Sequence, residues 1–224
     1  MENISVTRED VLKSLESIAI NKSAGPDDIH PRVLFELRHE ISGALTTLFN
    51  RSLLEGTVPL DWNTAKVTAL HKKGSRSSPK NYRPISLTCI VCKIFEGLVR
   101  KNLLAYLLNN DLISNAQHGF LPKRSCVSNL LECLDKWTQA WDNRENVDII
   151  YLDFAKAFDK VCHSKLIIKM HSLGISQQII NWTKSFLSNR TQCVQLNGNC
   201  STPSKVSGVP QGSVMGPVLF ADLH

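Results

Sequence analysis

The stretch Asp148-Ile-Ile-Tyr-Leu-Asp153-Phe-Ala-Lys-Ala-Phe158-Asp159 decides the reading of this chain. Residues 147–152 form a short β-branched and aromatic run interrupted only by Asp148, the pattern of a strand buried on both faces. Asp153 stands at the end of that run. An ionised carboxylate is costly in an apolar layer unless a cation or strong donors meet it, and a metal ion would serve. Taken alone, the same aspartate also suits a strand end or a helix cap, so spacing leaves both roles open. Six residues on, Asp159 precedes residues 160–173, where Leu166, Ile167, Met170 and Leu173 keep helical spacing up to Gly174, a residue suited to the position just past a helix end. The expected order is strand, acidic turn, helix.

The whole chain of 224 residues is 42% hydrophobic, enough for a sizeable core in one large domain or two small ones. The formal charge of +6 is concentrated: residues 72–124 carry ten Lys and Arg against Glu96 and Asp111, a local +8 that leaves −2 for everything else. Such a distribution points to a polyanionic partner at one face, with a solvated basic loop as the plain alternative. Seven cysteines without a repeating spacing do not form a secreted disulfide framework, and the amino terminus has no apolar leader run. An intracellular, reducing compartment is expected, with nucleus and cytoplasm both open. No apolar stretch approaches the ~20 residues of a membrane span. The lone Cys89-Ile-Val-Cys92 lacks a second pair at zinc spacing and reads as two neighbouring positions on a helix.

Upstream, Thr7-Arg-Glu-Asp10 fits a capping box, with Val6 and Val11 placed as a hydrophobic staple ahead of Leu12, Leu15 and Ile18. Turn residues 21–28 break that helix, and Pro31 opens a helix or helix pair reaching Gly56. Residues 67–70 are a strand candidate. The following loop holds Lys72, Lys73, Arg76, Lys80 and Arg83 among Gly, Ser and Pro, and it returns as a hairpin whose cations suit phosphate contacts. A long helix over residues 89–108, a second basic turn at 117–125, and an amphipathic helix from Val127 to Trp141 lead back to the opening stretch. Trp137 and Trp141 are expected in a core or an interface. Beyond residue 173, Ser176 caps another helix, Asn197-Gly198 marks a hairpin, and Gly208-Val-Pro-Gln211-Gly212-Ser213 lets backbone approach a ligand closely.

In this order the motifs Ser23-Ala-Gly-Pro-Asp27, Asn81-Tyr-Arg-Pro-Ile-Ser86, Gln117-His-Gly-Phe120, Tyr151-Leu-Asp-Phe-Ala-Lys-Ala-Phe-Asp159 and Gly208-Val-Pro-Gln-Gly-Ser213 resemble the reverse transcriptases of non-LTR, LINE-type retrotransposons, in their jockey-like branch. The resemblance runs from about residue 21 to residue 220. It implies an α+β fold with a right-hand polymerase's fingers (about 57–146) and incomplete palm (about 147–224), behind an N-terminal helical extension (1–56). It further implies RNA template, DNA primer and dNTPs as partners, with the oligomeric state left open, and two Mg²⁺ ions as cofactor. Asp153 would bind both ions and the Phe154 backbone carbonyl one of them. Lys72, Lys73 and Arg83 would meet the triphosphate, Phe158 would exclude a 2′-hydroxyl, and Gln211 and Gly212 would line the nucleotide pocket. Asp159 would brace the turn.

One departure limits what the resemblance implies. Such an enzyme needs a later hairpin carrying Ala-Asp-Asp, which supplies the remaining metal-binding carboxylates, and this sequence does not show it. In Phe220-Ala-Asp222-Leu-His224 the aspartate comes only nine residues after Ser213, and a helix of that length advances about 13 Å, too little to return beside Asp153. The thumb is expected to be missing too. The chain is therefore expected to be a truncated RNA-directed DNA polymerase that is inactive alone; the alternative is a catalytically inactive nucleic-acid-binding remnant.

Overall fold

The computed structural model describes residues 1–196 and 198–221. At the amino terminus, α1 (Arg8–Glu16) starts with the expected capping box between Thr7 and Asp10, and Val6 and Val11 are both buried. α2 (Pro31–Glu36) has Pro31 at its first position, and α3 (Arg38–Glu55) ends at Gly56 in the left-handed conformation. α1 packs onto α4 (Ile90–Asn109) and α3 onto α7 (Gln177–Leu187), while α2 lies against α1 and α3. At the centre, Phe49 and Phe95 stack with centroids 4.5 Å apart, and Trp182 meets Phe95 edge-on at 5.2 Å and stacks on Phe186 at the same distance. Aromatic pairs of this kind contribute about 0.5–1.5 kcal/mol each beyond burial.

A mixed five-stranded sheet lies beside this core. β1 (Thr64–His71) pairs antiparallel with β2 (Tyr82–Leu87) and parallel with β3 (Thr191–Leu196). β4 (Asn199–Cys200) and β5 (Ser204–Lys205) both run antiparallel to β3, at its two ends. Pro84 is tolerated because β2 is an edge strand. Leu196 faces Asn199 across the hairpin expected at Asn-Gly; Asn197 itself lies outside the described residues. α6 (His163–Ser172) and α8 (Gly216–Ala221) complete the chain. Gly174 takes the left-handed conformation after α6, and Ser176 caps α7, as the sequence suggests.

Two expectations need correction. Residues 147–152 form no strand and are not buried: Ile150, Tyr151 and Leu152 are 81%, 84% and 86% exposed. The reason is the backbone. A strand needs a neighbour for its N–H and C=O groups, and among the described residues none pairs with this segment. α5 (Cys126–Asp142) does form, capped by Ser125, because a helix closes its own hydrogen bonds. It buries nothing, however: its apolar stripe of Val127, Leu130, Leu131 and Leu134 faces solvent, and Trp141 is exposed rather than in a core.

Candidate functional site

The loop over residues 207–213 is tied down on three sides. Val209 N–H donates to the Phe158 carbonyl at 2.9 Å, Ser86 N–H on β2 donates to the Gln211 carbonyl at 3.3 Å, and His163 Nε2 lies 2.7 Å from the Gly208 carbonyl. Two glycines make this approach possible. Gly208 has φ +68° and a Cβ there would collide with the Phe158 carbonyl oxygen; Gly212 has φ +110° and a Cβ would sit 2.8 Å from the Ser86 carbonyl oxygen. After the loop, Ser213 Oγ accepts the Gly216 N–H at 3.0 Å and donates to the Pro210 carbonyl at 3.0 Å, which starts α8.

These contacts close a cleft of about 400 Å³. Pro84 and Ser86 line it from β2, Lys156, Asp159 and Lys160 from the acidic turn, Lys205 from β5, and Gln211 from the glycine loop, with Arg190 at its floor. Four cations against one carboxylate make it a place for a polyanion. A second groove of about 730 Å³, bounded by Ile18, Lys22, Ile90 and Lys93, shares Ser86 with the cleft and is edged by Gly212.

Beneath the loop lies a buried polar cluster. Arg190 is nearly inaccessible and spends its guanidinium on the Phe186 carbonyl (2.9 Å) and the Trp62 carbonyl (3.2 Å), with its charge over the Phe186 ring at 4.6 Å. Glu96 on α4 is fully buried, and its Oε2 accepts the N–H groups of Val214 (2.7 Å) and Met215 (2.9 Å). Burial holds the Glu96 carboxyl above the ordinary glutamate range, while the two amides and the Arg190 charge pull it back. Loss of hydration likewise pushes Arg190 down.

The structure gathers some of the residues singled out from sequence and leaves others apart. Gln211 lines the cleft and Gly212 edges the groove beside it. Arg83 is exposed on β2, opposite Leu70 on β1, with its neighbour Pro84 in the cleft wall. Lys72 and Lys73 sit exposed at the end of the β1–β2 hairpin, which Lys72 N–H closes onto the Asn81 carbonyl at 2.8 Å. Phe158 is half-buried and turns its ring onto Phe220, 5.0 Å away, instead of lining the cleft. Asp153 and Phe154 are exposed and make no hydrogen bond to other described residues. Asp222 falls outside the described residues.

The donors that Asp153 and Phe154 present are hard oxygens without a partner among the described residues. Mg²⁺ characteristically takes one or two carboxylates and completes its shell with waters and substrate phosphates, so this pair fits a share of such a shell. Among the described residues no group of three His, Cys, Asp or Glu gathers to complete one from protein alone.

Sequence reasoning missed Lys156, Lys160, Lys205, Arg190 and Glu96. Glu96 carried a usable signal: it falls on the helical stripe Cys92, Glu96, Val99, Leu103, where the other three are apolar and buried. Lys156 and Lys160 flank Asp159 at the expected turn, but nothing in their spacing showed that both would line a cleft; Lys156 adopts a left-handed φ of 56°.

A family model described as "Reverse transcriptase (RNA-dependent DNA polymerase)" matches residues 70–223. The chain is 32% identical over 219 residues, 97% of its length, to the RNA-directed DNA polymerase from mobile element jockey of Drosophila melanogaster, of which it covers 24%. It is 30% identical over 215 residues, 95% of its length, to the probable RNA-directed DNA polymerase from transposon BS of the same organism, again covering 24%. To the Pol polyprotein of an R2 retrotransposable element of Popillia japonica it is 30% identical over 172 residues, 75% of its length and 23% of that protein. The chain thus spans about a quarter of the curated relatives it matches.

Proposed function

Since the chain belongs to the reverse transcriptase (RNA-dependent DNA polymerase) family, we propose that it serves as the fingers and part of the palm of a non-LTR retrotransposon polymerase, acting inside the cell. On this reading residues 1–56 are the helical extension, 57–146 the fingers and 147–224 the partial palm. The observation that carries it is convergence. β2, the Lys156–Asp159–Lys160 turn and the Gln211 loop, far apart in sequence, meet around one cationic cleft of about 400 Å³.

In the cleft, Lys156, Lys160 and Lys205 would neutralise the triphosphate of an incoming dNTP, with Lys72, Lys73 and Arg83 approaching from the hairpin. Gln211 and Gly212, braced on Ser86, would form the wall beside the base and the template. Asp153 and the Phe154 carbonyl would hold Mg²⁺, which, when bound, activates the primer 3′-hydroxyl and neutralises the leaving pyrophosphate. Phe158 would sit beneath the sugar and reject a 2′-hydroxyl after turning from Phe220.

Primer extension tests this reading. The chain joined to the polymerase segments that follow in a jockey-type relative is expected to incorporate dNTPs on an RNA template, and Asp153→Ala is expected to slow it at least about a thousandfold, the effect of ~4 kcal/mol. RNA affinity should stay unchanged. An active Asp153→Ala protein would overturn the role given to that residue. The exposure of Asp153 favours a second reading, in which the chain on its own binds nucleic acid without chemistry. Extension by the chain alone would exclude it.

A further inference from the structure

Glu96 takes no part in the chemistry proposed above, yet its surroundings are built for it. Packing does not call for a carboxyl at that point of α4. Its stripe neighbours Cys92, Val99 and Leu103 are all 0% exposed, and an apolar side chain would avoid a desolvation penalty of several kcal/mol. Nor is it held in a salt bridge, because the Arg190 guanidinium is committed to the Phe186 and Trp62 carbonyls. What the carboxyl does hold is two consecutive amides. Oε2 accepts from Val214 and Met215, while Oε1 lies 3.6 Å from the Cys92 thiol.

Those amides come directly after Gly208-Val-Pro-Gln-Gly-Ser213. Upstream, the loop is tied to Phe158 and His163 through Val209 and Gly208. Between Gln211 and α8, the hydrogen bonds among the described residues are one 3.3 Å backbone bond from Ser86, the local Ser213 turn, and those to Glu96. Met215, Val218 and Leu219 pack into the core, and among the described residues Glu96 alone hydrogen-bonds this downstream end to one of the core's helices. We propose that Glu96 is a positioning residue: from beneath the cleft it fixes the Gln211-Gly212 wall against Ser86, so that α4 sets the shape of the nucleotide pocket. This rests on the reading of the cleft as that pocket.

The test uses the full chain as wild type and as Glu96→Gln, which keeps the shape and one accepting oxygen but loses the charge. Three quantities are measured: amide exchange over residues 208–216, retention of a fluorescent dNTP with Mg²⁺, and affinity for a short RNA. The variant is expected to exchange faster at Val214 and Met215 and to bind dNTP about tenfold more weakly, the effect of ~1.4 kcal/mol. RNA affinity, which would draw on exposed cations away from the loop such as Arg76, Lys80 and Lys123, should not change. If Glu96→Gln does not fold, Val214→Pro deletes one donor while leaving the carboxyl, and the same selective loss is expected. Unchanged dNTP affinity in a folded variant, or RNA affinity falling in the same proportion, overturns the inference. A wild-type chain that retains no dNTP overturns the cleft reading itself and this inference with it, so the wild-type measurement separates the two failures.

Discussion

α4 and residues 147–154 are both rich in apolar side chains, and they meet opposite fates. Phe95, Val99, Leu103 and Leu107 on α4 are fully buried, whereas Ile150, Tyr151, Leu152 and Phe154 stand in water. The difference lies in where each backbone finds its hydrogen bonds. A helix satisfies itself and needs neighbours only for its side chains, which α1, α3 and α7 supply to α4. A strand must borrow its partner, and none is present among the described residues. α5 is the intermediate case, formed but uncovered. An apolar pattern therefore specifies burial only where the covering surface belongs to the same chain.

The largest expected effect comes from deleting a side chain in the closed region. Trp182→Ala, which removes a fully buried ring stacked on Phe186, should cost about 3–5 kcal/mol in urea unfolding. Trp141→Ala, at an 82% exposed position, should change stability by no more than about 0.5 kcal/mol. Equal costs would erase the contrast between the two regions.

A smaller effect is expected from making the open region polar. Exposed apolar stripes and unpaired strand-forming segments favour self-association. Leu130→Lys combined with Ile150→Lys should lower the sedimenting mass of the chain at high concentration and leave its melting temperature unchanged. A large drop in melting temperature would show that these side chains are covered after all.

The smallest effect concerns the polar cluster inside the closed region. Because burial raises the Glu96 carboxyl above its ordinary value of 4.5, the folded chain holds that proton more firmly than the unfolded chain. The resulting contribution is present at or below 4.5 and is lost as pH rises through the raised value. Arg190 and Cys92 face the same carboxyl, and the Arg190 charge limits the shift. Relative to Glu96→Gln, the wild-type chain should thus lose stability on going from pH 4.5 toward neutrality. A difference that is flat or opposite in sign would contradict the burial-dominated account of Glu96.

Much of the fold was legible because its signals are local. Thr7 and Asp10 cap α1, Pro31 opens α2, Gly56 and Gly174 end helices, and Asn197-Gly198 announces the hairpin whose Leu196 and Asn199 pair. The motif residues Gln211 and Gly212 were legible for the same reason. The mixed sheet was not, because the parallel pairing of β1 with β3 joins Val67 to Val194 across most of the chain. Glu96, Arg190 and Lys205 reach the site through such long-range packing, which one-dimensional spacing does not encode. The strand expected at residues 147–152 failed for the converse reason: the local pattern is right for a strand, but no partner meets it among the described residues.

Amide hydrogen exchange over residues 147–154, read against residues 90–107 in the same sample, tests this account most directly. The account predicts rapid, nearly unprotected exchange at Ile149, Ile150 and Leu152 and strong protection through Phe95, Val99 and Leu103. Joining the polymerase segments that follow in a jockey-type relative should bring protection to residues 147–154 while leaving α4 as it is. Strong protection of Ile150 and Leu152 in the monomeric chain alone would contradict it, because those amides would then already have the partner whose absence explains their exposure.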